Sequence, residues 1–237
     1  MKHFHLWIIF PLLFSCTAEE NETIGPRPAD MHLRIMDGYP ENKSNAFDIA
    51  GKLHNSLCLA FEAAPAPIAS VSDAVGVTDV LCASDSDFLQ LTSGGYTPPS
   101  AARLEFILGA SQNAQQVIDQ SSLSLKAKIS LTNFLSTLDF YKSQGKEYDT
   151  VYQFIIEYED SVLHDPVFSS TDRQILFTTS SIARYAHHFA SLRKKKPPRD
   201  KDWDASIGNI AAGTDGSQES TAKAVAMSVA ASLYTNR

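Results

Sequence analysis

Apolar positions recur at helical spacing along most of this chain. Phe47, Gly51, His54, Cys58 and Phe61 follow one another at steps of four, three, four and three, with Ala50 and Leu57 widening the same face. The pattern predicts an amphipathic helix from about Ser44 up to Pro65 and Pro67, which close it. Asn45 stands where an N-cap belongs, and Asp48 three residues on favours the positive helix end. Val75, Val77, Val80, Leu81, Phe88, Leu89 and Leu91 fit one or two short helices within residues 68–92, and the stretch from Ser93 to Pro99 reads as a loop. Helices are then predicted over residues 100–120, 122–143, 147–163 and 172–192. The first two are joined by Gln120-Ser121-Ser122, short enough for an antiparallel pair, and the last opens on Thr171-Asp172-Arg173-Gln174, a capping-box pattern. Near the C-terminus Ala222, Ala226 and Ala230 recur every four residues beside Val225, Val229 and Leu233. Small residues at that interval let helix backbones approach closely, so this reads as a last helix packed tightly on its own bundle. The fold class is all-α, a bundle of about six to eight helices.

The N-terminus breaks the pattern. Lys2 precedes an uncharged run, Leu6 to Phe14. Nine residues rise only about 14 Å as a helix against a hydrocarbon core of roughly 30 Å, so the run is a signal-peptide core and not a spanning helix. It ends in Leu13-Phe14-Ser15-Cys16, which resembles a bacterial lipobox, although Phe14 is bulky for its place. On that reading residues 1–15 are removed and Cys16 carries lipid, palmitate included; the alternative is an ordinary secretory signal with an incidental cysteine. Residues 16–43, with Gly25, Pro26, Pro28, Gly38 and Pro40, form a tether. Glu19, Glu20 and Glu22 resemble the surface-export signal of Bacteroidota lipoproteins, or are a solvated acidic linker. The helical domain is expected over residues 44–196. Residues 197–237, rich in Ala, Ser and Gly, are expected as a C-terminal helical segment packed on it.

A net charge of −7 makes nonspecific nucleic-acid binding a poor fit, so no nucleic acid is expected as a partner. The basic run Arg193 to Lys196 reads as helix C-terminal cations ahead of Pro197-Pro198. Once Cys16 is acylated, Cys58 and Cys82 remain. Two buried, reduced thiols are expected, a disulfide being the alternative in an exported protein.

Candidate chemistry is sparse. His54 lies on the apolar stripe of the first helix beside Asn55; a core histidine paired through its ring nitrogens is the simpler reading than a metal ligand or proton carrier. His54 is therefore expected to be neutral, with a partner on the helix over residues 172–192. His187 and His188 are adjacent, so they cannot share one helix face. Asp200, Asp202 and Asp204 begin a calcium-loop pattern that fails at Ala205 and Ala211. Glu157, Glu159 and Asp160 read as a solvated face. No nucleophile elbow, P-loop or dinucleotide fingerprint occurs. No catalytic, cofactor-binding or metal-binding residue is assigned; Asp48, His54 and Asn55 are the candidate functional or structural residues.

Three segments together resemble a family of Bacteroidota proteins, some with lipoprotein signals. Asn45-Ala46-Phe47-Asp48-Ile49-Ala50-Gly51-Lys52-Leu53-His54-Asn55 resembles its N-P-[FY]-D-x-[VI]-G-x-x-H-N segment, with Ala46 where proline is usual. Asp172-Arg173-Gln174-Ile175-Leu176, running on to Arg184-Tyr185, resembles its later helix, and the small-residue C-terminus resembles its tail, interrupted here by polar residues over 209–216. The resemblance adds a family and no reaction. The expected function is a cell-envelope lipoprotein, on the outer membrane through lipid on Cys16 and open to surface exposure, with a non-catalytic binding or scaffolding role toward an envelope protein partner. The alternatives are an enzyme with a site near His54, and a membrane-perturbing protein acting through its C-terminal helix.

Overall fold

A computed structural model describes residues 40–92, 95–110, 112–192 and 205–237. The signal segment, Cys16, most of the tether, the basic run over 193–196 and the Asp200–Asp204 pattern lie outside the described residues. Among the described residues there are ten α-helices and no strand, so the fold is all-α with a few more helices than the stripe pattern predicts. They are α1 (Ile49–Ala63), α2 (Val71–Ser84), α3 (Ser86–Leu91), α4 (Ala101–Gly109), α5 (Asn113–Gln120), α6 (Leu125–Ser143), α7 (Tyr148–His164), α8 (Ser170–Ser191), α9 (Ile207–Ser217) and α10 (Thr221–Thr235).

Serine opens most of them. Ser70, Ser100, Ser124, Ser169, Ser206 and Ser220 each accept, on the side-chain oxygen, the backbone N–H three residues on. Each such cap satisfies a donor the helix cannot, and contributes about 1 kcal/mol. At α8 the capping box is Ser169 with Asp172, two residues earlier than the Thr171 pattern. Asp172 completes it because its carboxylate accepts the Ser169 N–H at 3.0 Å. Its other oxygen accepts the Ser124 N–H at 2.8 Å, so one side chain joins the starts of α6 and α8. These donors, working against burial, hold the Asp172 carboxyl below its ordinary range.

Two expected helices divide differently. The segment over 100–120 breaks after Gly109, because Asn113 Nδ2 takes the Phe106 carbonyl that Ala110 N–H would take in a continuous helix. The C-terminal segment is a hairpin of two helices, α9 and α10, turned at 218–220. At Gly216 a Cβ would sit 2.6 Å from Lys223 O, so only glycine admits the partner backbone there. Every residue of α10 from Ala222 to Leu233 is buried. Lys223, which interrupts the apolar run, donates from Nζ to Thr97 O and Pro98 O at 3.0 Å each and holds the loop before α4.

The architecture is organised around α8, in which every residue from Ile175 to Ala186 is buried. It touches α1, α6, α7, α9 and α10. On one side its Ile182 and Phe189 share a core with Leu53, Leu57 and Val229. On another, Ile175, Leu176 and Phe177 pack with Leu131, Phe134 and Ile155 of α6 and α7. A third core joins α4 and α5 to the α9–α10 hairpin through Leu104, Ile107, Val117 and Ala230. The bidentate Arg103–Asp215 pair, 2.7 and 3.1 Å, ties α4 to α9 at the surface. Cys58 and Cys82 are both buried and unbridged, the reduced form expected.

Candidate functional site

The segment from Asn45 to Asn55 begins as a turn. Asn45 is not the N-cap of α1: its Oδ1 accepts the Phe47 N–H at 2.8 Å, and the helix proper starts at Ile49. Its amide instead donates to Glu159 Oε1 at 2.7 Å and to Phe177 O at 3.0 Å. Asp48 sits at the helix start without capping it. Its carboxylate reaches outward to α8, accepting from Arg184 Nη2 and, at 3.0 Å, from the Tyr185 hydroxyl.

Arg184 and Glu159 complete this cluster, and both are essentially inaccessible, at 0% and 1% exposure. Arg184 Nη2 also lies 3.3 Å from Glu159 Oε1, and Nη1 donates to Pro40 O. Glu159 accepts further from Asn42 Nδ2 at 2.6 Å and from Ser180 Oγ at 2.7 Å. Glu159 was expected on a solvated face; it is the buried hub of the cluster instead. Burial works against the Arg184 charge, but Glu159 and Asp48 outweigh it and raise the guanidinium above its ordinary pKa. Burial, then Asp48, likewise raises the Tyr185 phenol. The entry segment 40–48, α7 and α8 are thus fastened through one set of charge-assisted bonds.

Gly51 sets the distance between α1 and α8. A Cβ there would meet Ser181 Oγ at 2.6 Å, along with the Ser181 carbonyl and the Tyr185 ring. The bare backbone lets Gly51 N–H donate to Ser181 Oγ at 3.0 Å, while that hydroxyl donates to Asp48 O at 2.9 Å.

One turn further along α1, His54 and Asn55 are both at 0% exposure. His54 pairs with Asn55 Oδ1 through Nδ1 and with Ser232 Oγ through Nε2, each at 3.1 Å. Asn55 donates from Nδ2 to Tyr185 O at 2.9 Å. With that amide orientation Nδ1 carries the proton and Nε2 accepts the Ser232 hydroxyl. His54 does not find the expected partner on the helix over residues 172–192: its ring bonds to Asn55 and to Ser232 of α10, and it is Asn55 that bonds to α8. Burial lowers the His54 pKa to about 4, outweighing the Asn55 bond that raises it, so the ring is neutral at pH 7. Cys58 Sγ lies 3.9 Å from the same Nε2, and burial, followed by Glu62, raises its thiol pKa.

Hydroxyl, imidazole and amide stand in the order that nucleophilic catalysis uses. Here Ser232 is 1% exposed and the imidazole 0%, both enclosed by the helices that carry them. His187 and His188 diverge as their adjacency requires; His188 is buried, its ring 5.1 Å from that of Tyr148. Among the described residues no group of three His, Cys, Asp or Glu side chains is arranged to hold a metal ion.

The structure thus joins Asp48 to one cluster and His54 with Asn55 to another, the two connected through Tyr185. Sequence reasoning missed Glu159 and Arg184. A signal for Glu159 was present: it follows Ile155 by four and precedes Val162 by three, on the buried stripe of α7. Arg184 had no such signal, because α8 is enclosed on all sides rather than on one stripe. Comparison with family models, curated proteins and solved structures gives no match for this chain.

Proposed function

We propose that this chain is a cell-envelope lipoprotein, acylated on Cys16, held at the outer membrane and displaying a helical domain with a non-catalytic binding or scaffolding role. The observation that carries the address is the short apolar run closing on Leu13-Phe14-Ser15-Cys16 behind Lys2. Among the described residues no helix is long and apolar enough to cross a membrane, so in this reading the membrane contact is the lipid. The non-catalytic role is supported by where the polar residues of the family-like segments point. Asp48, His54, Asn55 and Arg184 are engaged with one another and with the backbone inside the fold, as members that hold helices together.

An enzyme acting at His54 would need that ring to reach solvent, and its complete burial weighs against it. A membrane-perturbing C-terminal helix would need to leave the core, and the enclosure of α10 weighs against that. The test is acylation and fractionation. Radiolabelled palmitate should enter the wild-type protein, and Cys16→Ala should move the protein out of the membrane fraction. A wild-type protein that takes up no palmitate ends the proposal. Glu19→Ala with Glu20→Ala should leave the protein acylated but shielded from protease on whole cells; unchanged protease access would remove surface export from the reading.

A further inference from the structure

A groove of about 410 Å³ opens where α4, α5, α6, the start of α9 and the end of α10 meet, lined by none of the residues of the two buried clusters. Its volume falls within the range of roughly 300–1,000 Å³ typical of small-molecule sites. The floor is apolar: Ile107, Leu108, Ala114, Ile118, Leu135 and Ile207. Polar groups stand at the rim, and most are already engaged. Gln115 and Thr132 bond to each other at 3.1 and 3.2 Å, Gln115 also donates to Asp119 at 2.8 Å, Ser206 Oγ accepts the Asn209 N–H at 3.1 Å, and the Thr235 hydroxyl is bonded to Asn209 Oδ1 at 3.1 Å. Two are not. Ser136 and Asp139 of α6 line the groove, are exposed, and have no hydrogen-bond or ion-pair partner among the described residues. Among the described lining residues Asp139 is the one ionisable group.

We infer that this groove binds a small apolar molecule carrying a protonated amine, with the apolar body on the Ile107–Ile118–Leu135 floor and the ammonium at Asp139. The inference rests on the binding role proposed above and gives that role a place and a ligand class. An apolar ligand gains by leaving water for the floor, and a cation gains at a carboxylate that has no competing partner. An anion would meet Asp139 as a like charge. The Ser136 hydroxyl, four residues from Phe140 and three from Asp139 on the exposed side of α6, supplies an acceptor for a second ammonium proton.

The test uses the full chain and three probes of one size: 2-phenylethylammonium, 2-phenylethanol and 3-phenylpropanoate. Binding is followed on the methyl resonances of Ile107, Ile118 and Leu135. The ammonium should shift those methyls and bind about fivefold more tightly than the alcohol, the scale of one partly exposed ion pair, with the carboxylate weakest. Asp139→Asn should abolish the difference between ammonium and alcohol while both still bind. Ser136→Trp should fill the rim and weaken all three, with the melting temperature retained because position 136 is exposed. Failure of the ammonium to move these methyls, a preference for the carboxylate, or an ammonium preference surviving in Asp139→Asn would each overturn the inference. None of these outcomes bears on palmitate entry at Cys16, so loss of the groove and loss of the lipoprotein reading are read separately.

Discussion

The same core encloses two polar clusters that solve burial in opposite ways. At one, Arg184 keeps its charge because Asp48 and Glu159 face it. At the other, His54 meets an amide oxygen, a hydroxyl and the Cys58 thiol, none of them a charged partner, and stays neutral. The deciding difference is a countercharge within reach, since depth is the same: both Arg184 and His54 are at 0% exposure. The ionic cluster therefore depends on its charged members being present, whereas the neutral one depends on no proton arriving. Single substitutions should strike the first harder, and acid should reveal the second.

Arg184→Met should be the most damaging change. It leaves Asp48 and Glu159 without their cation, and breaking a buried ion cluster costs about 3–5 kcal/mol. Denaturant unfolding should show the midpoint falling with little change in slope. A loss below about 1 kcal/mol would mean that water reaches the carboxylates and that the two clusters are not so different.

Acid should act on the neutral cluster. The His54 pKa is about 4 folded against 6.5 when unperturbed, so the unfolded chain takes up the proton first. Stability from the neutral ring is complete above 6.5 and is lost progressively as pH falls through 4, for a total on the order of 3 kcal/mol. Carboxylates also titrate near the lower end, so the comparison is with His54→Gln, whose stability curve between pH 7 and 4 should be flatter. Parallel curves for the two proteins would show that His54 is not the titrating group.

His54→Ala at pH 7 should cost about 1–3 kcal/mol, by leaving Ser232 and Asn55 each short of a partner in the core. An unchanged melting temperature together with loss of a metal or partner would make His54 a functional residue. Gly51→Ala, between the clusters, should cost a similar 1–3 kcal/mol by pushing α1 off Ser181. Tyr185→Phe should be the mildest, about 1 kcal/mol, since Asp48 keeps Arg184 and its side chain is 15% exposed to water.

Most of the helices were legible from the sequence because one face of each is apolar at a period near 3.6, as with Phe47, His54 and Phe61 on or beside α1. What was not legible had a local competitor or a tertiary cause. Asn113 competes with the backbone for Phe106 O and ends α4, an effect that periodicity does not register. Gly208, Gly213 and Gly216 weaken the intrinsic preference of α9, yet it is helical because glycine admits Ile182 and the α10 backbone so closely. At the candidate site, His54 could be placed in the core from its stripe alone. Its partner Ser232 lies 178 residues away, and nothing in either local pattern pairs them. Arg184 is inside because five helices surround α8, which is a property of the assembled bundle.

The first described residues are fastened at the ionic cluster, and this sets how a pull on them would be borne. Pro40 is held by Arg184, and Asn42 and Asn45 by Glu159, before the first helix begins. Tension applied at Pro40 would be taken up first by these bonds, ahead of the apolar core. Arg184 and Glu159 stand on α8 and α7, so the pull is passed to the middle of the bundle and spread over two long helices, which leaves α1 shielded until the fastening gives way.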